Sequence, residues 1–247
     1  MGSHLSMRSG NPALNSKIFT SATQDDSGTM TIGGTVNKTT LSLLLLMATA
    51  SYTWINPSLG LMILGFVGGL IMAIITIKKK IWAPYTVSGY AMLEGLALGG
   101  VSQIFESLYP GIASQAIFLT FGILGALLLA YKSGVIKPTE NFKLGVFAAT
   151  GGIAIMYFIS FIMSMFGSGL SILNTNNTSM LSIGFSLFVI IIASLNLVLD
   201  FDFIEEGAEK GVPKYMEWYG AFGLLVTLIW LYLEILRLLA KLQSRRN

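Results

Sequence analysis

Of 247 residues, 53% are hydrophobic and only 11% are charged, against about 25% charged in an average soluble domain; this excludes a soluble globular chain and leaves a membrane protein. Cysteine is absent, which excludes disulfides, thiol nucleophiles and cysteine-held metals. A net charge of +3 is too mild for a nucleic-acid binder and suits the positive loops of a membrane protein.

The single histidine, His4, lies in residues 1–6, which read as an expression scar before a start at Met7. Without it no imidazole remains for catalysis, zinc binding or pH sensing. Residues 7–38 are polar, with Gly, Ser, Thr, Asn and the pair Asp25 and Asp26. They show no sustained apolar period and read as a disordered or loosely docked cytoplasmic tail. The expected organisation is therefore a scar and tail over 1–38 and one transmembrane helical domain over 39–247.

Seven apolar runs follow, at 40–55, 58–77, 86–108, 112–131, 142–166, 180–199 and 218–239, each near the ~20 residues of a membrane helix. Asn56-Pro57 separates the first two. Lys78, Lys79, Lys80 and Pro84 end the second, and Tyr109-Pro110-Gly111 ends the third. A Lys-bearing stretch, 132–143, separates the fourth and fifth, and a polar uncharged stretch, 167–179, the fifth and sixth. Lysines in alternate loops place the amino terminus and residues 200–214 in the cytoplasm. Seven spans put the basic tail 241–246 outside, against that rule. The alternative is six spans plus a re-entrant last segment; the length of 218–239 favours seven.

Chemistry-bearing residues are few. Five of the twelve acidic residues, Asp200, Asp202, Glu205, Glu206 and Glu209, close the sixth run, and a carboxyl in or beside a membrane span is costly enough to mark a functional site. Asp200 is expected to face the bundle interior. Asp202, about 200° further round a helix, is expected to face water or headgroups. Glu94 stands about 12 Å inside the third run, beside Gly95, Gly99 and Gly100, and is the candidate to share a proton with Asp200. Glu234 and Arg237, three apart, share a helix face and form the expected internal ion pair. Lys210, Lys214, Lys241, Arg245 and Arg246 read as lipid-headgroup anchors. Carboxylates at Asp200 and Asp202 suit calcium, although the stretch is no EF-hand, with Ile204, Glu205 and Gly211 at its fifth, sixth and twelfth positions. A nucleophile elbow, a phosphate loop and a facing aspartate pair are all missing, so no enzyme and no cofactor are expected.

Leu93-Glu94-Gly95-Leu96, the stretch 197–204, and Leu231-Tyr232-Leu233-Glu234 followed by Leu236-Arg237-Leu238-Leu239 resemble the Bax inhibitor-1 (TMBIM) family, in its bacterial YccA-like branch, over residues 41–239. The resemblance implies an all-α membrane bundle of seven helices with the last one central, in a bacterial inner membrane. It also implies a pH-sensitive calcium leak gated by a carboxylate pair on the sixth and seventh helices. Carried across, Asp200 matches the sixth-helix position, while the seventh-helix position falls on Glu234 or on Thr227, depending on which motif is aligned. Taking the turn near Val212-Pro213, Asp200 and Glu234 are offset on the order of 13 Å, which argues against a direct pair. The leading expectation is a cation leak channel or ion exchanger, passing cations and protons, gated at Glu94, Asp200, Asp202 and Glu234. Its rival is a non-catalytic interaction protein that modulates a membrane-bound protease or stress-response complex. A proton-coupled transporter is a third reading without broken-helix signs.

Overall fold

The computed structural model describes residues 28–246. Seven long helices follow one another among them: α1 Ile32–Ile55, α2 Leu59–Lys78, α3 Ala83–Leu108, α4 Ile112–Lys132, α5 Glu140–Met165, α6 Met180–Glu209 and α7 Met216–Arg246. Two 3-10 turns, Lys80–Trp82 and Ser171–Leu173, sit in the α2–α3 and α5–α6 connections. Hydroxyls start three of the helices: Thr31, Thr139 and Ser179 accept from the backbone N–H of Gly34, Phe142 and Ser182, satisfying donors that a first helical turn leaves without partners. Gly111 and Gly211 take left-handed backbone angles, φ 85° and 60°, at the turns into α4 and after α6, where a side chain would be strained.

Three boundaries differ from the sequence reading. Helix α1 begins at Ile32, so residues 32–38 belong to the membrane domain and not to the tail; the rest of that tail, up to residue 27, lies outside the described residues. Its start is fixed by tertiary contacts, described below, that leave no apolar period in the sequence. Pro84 does not end α2 but occupies the first turn of α3, where its missing N–H costs nothing. Helix α6 runs ten residues past Leu199 to Glu209, so the acidic residues are helical and the turn comes at Gly211. The last helix passes antiparallel along α6 for its whole length, from the Phe203–Tyr219 ring contact at one end to Lys241 beside Ser186 at the other. It is one continuous helix, Met216–Arg246, without the turn back that a re-entrant segment needs.

Five helices, α2 and α4 to α7, are long and apolar enough to cross a membrane. Helices α1 and α3 are more polar because they pack closely on each other. A Cβ at Gly95 would collide with the Leu46 carbonyl and the Thr49 hydroxyl, and one at Gly99 with the Ala50 carbonyl and Thr53. This four-residue spacing of glycines lets two backbones approach in lipid. Gly65 of α2 meets the α3 backbone at Leu93 and Ala97 in the same way. Helix α7 is the axis, packed by α1, α3, α4 and α6, with Leu225, Leu231 and Leu236 wholly buried. Outward, α2 presents Leu64, Leu70 and Ile71, and α5 presents Phe158 and Phe161. Such an apolar exterior is stable only against hydrocarbon.

Candidate functional site

The end of the bundle where α6 turns into α7 gathers the acidic residues and, through Lys143, the start of α5. Asp200 is fully buried on α6, between the buried neighbours Leu199 and Phe201. Asp202 turns away from it, as a 3.6-residue period requires, and is half-buried. Its carboxylate binds Lys143 of α5 at 2.5 Å. One turn on, Tyr131 of α4 donates to Glu205, and Lys210 pairs with Glu206.

Asp202, Glu205, Tyr131, Lys137, Thr35 and Thr39 line a cavity of 810 Å³ between α1, α4, α6 and α7. It ends inward on Leu43 and Leu228. Both leucines also border a second cavity, of 520 Å³, in the far half of the bundle.

The helix registers decide which carboxyls can meet. Contacts of Phe203 with Tyr219 and of Ser186 with Lys241 set Asp200 level with about Leu224. Glu234 then lies ten residues further along, about 15 Å at 1.5 Å per residue, so Asp200 and Glu234 do not form the sixth-and-seventh-helix pair. At the level of Asp200, α7 carries no carboxylate, and Thr227 is the buried polar residue nearest that level. Helix α3 runs parallel to α7, with the Tyr90 ring on Phe222 and the Ser102 hydroxyl at 2.6 Å from Tyr232. This places Glu94 at the depth of Asp200. The Glu94 carboxyl itself packs against Gly69 of α2, so the two acids share a level while Glu94 addresses the α2 side.

Calcium between Asp200 and Asp202 is not favoured by the geometry. The two side chains diverge, and Asp202 already holds Lys143. Among the described residues no cluster of three potential ligands could hold a metal.

Glu234 forms the expected ion pair with Arg237 at 2.9 Å and gains a partner that the sequence did not disclose. Tyr157 of α5 donates to the Glu234 carboxylate at 2.5 Å and accepts from Arg237 at 3.0 Å. This triad ties α5 to α7 in the far half of the bundle.

Two engaged carboxylates escaped the sequence reading. Glu217, fully buried in the first turn of α7, accepts from the backbone N–H of Thr31 at 3.1 Å and its hydroxyl at 2.9 Å, and binds Lys38 at 2.7 Å. It packs against Gly34 and so fixes the start of α1. Next to it the chain before α1 is pinned: Met30 N–H donates to the Val212 carbonyl and Lys214 N–H to the Gly28 carbonyl. Glu106 accepts from the N–H groups of Gly111 and Ala113, closing the α3–α4 turn. Its only sequence sign was an acid four residues before a Pro-Gly turn.

Lys241 corrects an expectation. Read as a headgroup anchor, it is fully buried and donates to the Ile172 carbonyl at 3.0 Å, the Ser182 carbonyl at 3.3 Å and the Ser186 hydroxyl at 2.9 Å. A long lysine stem can snorkel either way; here the Ile172 carbonyl of the α5–α6 turn, which also accepts from the Ser182 hydroxyl at 2.9 Å, draws the ammonium inward.

Compared with known proteins, residues 11–244 match the family model described as Bax inhibitor 1 like. Neither the curated proteins nor the solved structures give a match. Among the described residues, seven long helices with the last one axial, five of them long and apolar enough for a bilayer, agree with that match: the protein belongs to the Bax inhibitor 1 like family of multi-pass membrane proteins.

Proposed function

We propose that the protein is a pH-sensitive cation leak pathway, with calcium as the ion that the family resemblance suggests, and that its amino terminus faces the cytoplasm of a bacterial cell. The observation that carries this reading is the 810 Å³ cavity at the acidic end, lined by Asp202 and Glu205 with Asp200 buried one helical face away. Carboxylates at the mouth of a low-dielectric cleft raise the local cation concentration, and protonation removes that attraction. Lys143 sits on Asp202 as a tethered cation, so an entering ion competes with it. Lysines 78 to 80, 132, 137 and 143 all lie at this same end, which supports a cytoplasmic side by charge bias.

The test is calcium flux into proteoliposomes from mildly acidic to mildly alkaline pH. Flux rises with pH, and Asp200→Asn, which keeps the shape without the ionisation, flattens the profile. Flux equal to that of empty vesicles at every pH removes the reading. An unchanged profile in Asp200→Asn together with its loss in Glu94→Gln moves the gate to the α2–α3 side.

A second reading, a membrane interaction protein that modulates a protease complex, is favoured by how many carboxylates are spent on holding helices: Asp202 on α5, Glu217 on α1 and Glu234 on α5. Deleting residues 7–27 leaves α1 and the Thr31 and Lys38 contacts with Glu217 in the chain. Loss of partner co-purification with the fold retained supports this second reading, and unchanged co-purification excludes the tail as the docking element.

A further inference from the structure

The far cavity differs in kind from the acidic one. Its 520 Å³ lie between α1, α3, α4 and α7, and no charged residue lines it. Its hydroxyls are already committed to their own helices: Ser51 donates to the Met47 carbonyl at 2.8 Å, Thr120 to the Ala116 carbonyl at 2.7 Å and Ser114 to the Gly111 carbonyl at 3.0 Å. Ser102 and Tyr232 hydrogen-bond each other at 2.6 Å. What remains facing the space is Leu46, Met47, Trp54, Ile117, Phe121 and Leu228. A cavity without free polar partners stays dry and takes apolar matter.

Two further features define the occupant. Helix α1 packs on α3 and α7, and α4 on α7 and α6, but α1 and α4 stand apart, so the cavity is a slot open sideways to the bilayer. From Trp54 at its mouth to Leu43 at its floor it spans eleven residues of α1, about 16 Å. Half of a hydrocarbon core of about 30 Å is about 15 Å, so the slot is as deep as one leaflet.

We propose that this slot binds one acyl chain of a phospholipid from the leaflet at the far end. The headgroup rests near Trp54 and Ser114, with the chain terminus at Leu43 and Leu228 against the central helix. The lining carries no cation to select an acidic head, so the slot selects by apolar length and not by headgroup charge. The site is independent of the conduction reading.

The test uses the full protein in nanodiscs of phosphatidylcholine carrying a photoactivatable diazirine, near the head or at the chain terminus, with adducts mapped by mass spectrometry. The terminal probe labels Leu43 and Leu228, and the near-head probe labels Trp54 and its neighbours. Leu228 is only 4% exposed, so lipid merely surrounding the protein does not reach it. Ser51→Phe and Ser114→Phe, which fill the slot, each cut the Leu228 adduct several-fold and leave labelling of the outer faces of α2 and α5 unchanged. A Leu228 signal no higher than background in the unsubstituted protein, or one unaffected by either variant in folded protein, overturns the proposal. So does an even spread of adducts independent of probe depth.

Discussion

Replacing Glu217 by alanine should be among the most damaging single changes available outside the apolar core. The carboxylate has no exposure to solvent, and it receives two hydrogen bonds from Thr31 and an ion pair from Lys38, whose side chain is 24% exposed. Removing it strands the Thr31 N–H at a helix start and leaves the Lys38 ammonium half-buried without its partner. Breaking a buried pair by deleting one member costs about 3–5 kcal/mol. The partial exposure of Lys38 puts Glu217→Ala toward the lower figure, about 3 kcal/mol. Glu217→Gln keeps the shape and one acceptor, loses only the charge-assisted part, and should cost about 1.5–3 kcal/mol. Lys38→Met combined with Glu217→Gln should show a favourable coupling on the order of 1 kcal/mol. The assay is reversible unfolding in mixed micelles, with helicity as the signal. An alanine variant within about 0.5 kcal/mol of the parent would refute the view that this contact fixes α1.

Lys241→Met should destabilise by about 1–3 kcal/mol, because the Ile172 and Ser182 carbonyls and the Ser186 hydroxyl each lose the charged donor that joins them; limited proteolysis within residues 166–179 should accelerate. Gly95→Ala should cost about 1–3 kcal/mol by overpacking, since the new methyl meets the Leu46 backbone; cross-linking between cysteines introduced on α1 and α3, in a chain that has none, reports the separation. Lys143→Met frees Asp202 of its tethered cation and should raise calcium flux at neutral pH several-fold. A drop in flux with the fold intact would mean that Lys143 assists conduction instead of competing with it.

The breaks between helices were legible because glycine, proline and lysine punctuate apolar runs sharply. The start of α1 was not, since Thr31, Gly34 and Lys38 look like tail composition until Glu217, 186 residues after Thr31, is placed beside them. The acidic stretch after Leu199 was legible as the close of an apolar run, and the helical period separated Asp200, which is buried, from Asp202, which pairs with Lys143. Its depth was misjudged, because a run of acids reads as a helix end when its partners on α4 and α5 cannot be seen. Glu234 and Arg237 were visible as a pair at i,i+3. The Tyr157 hydroxyl that completes them comes from another helix and leaves no local sign. Lys241 was misread because hydropathy treats a terminal lysine as solvent-seeking, whereas the carbonyls that hold it belong to a distant turn.

The Glu217 contact also has a consequence for assembly during synthesis. The first turn of α1 is completed by a residue in the first turn of α7. A ribosome that has inserted α1 to α6 has delivered neither the axial helix nor the acceptor for Thr31 and Lys38. Until α7 emerges, the nascent bundle is a hollow shell, with the start of α1 unsecured and the leading chain free of the turn at residues 212–214. Closure is then a single late event in which the core is filled and the two ends of the helical array are locked by the same segment. A nascent chain halted before residue 217 should therefore remain a target for membrane quality control however well its six earlier helices are inserted.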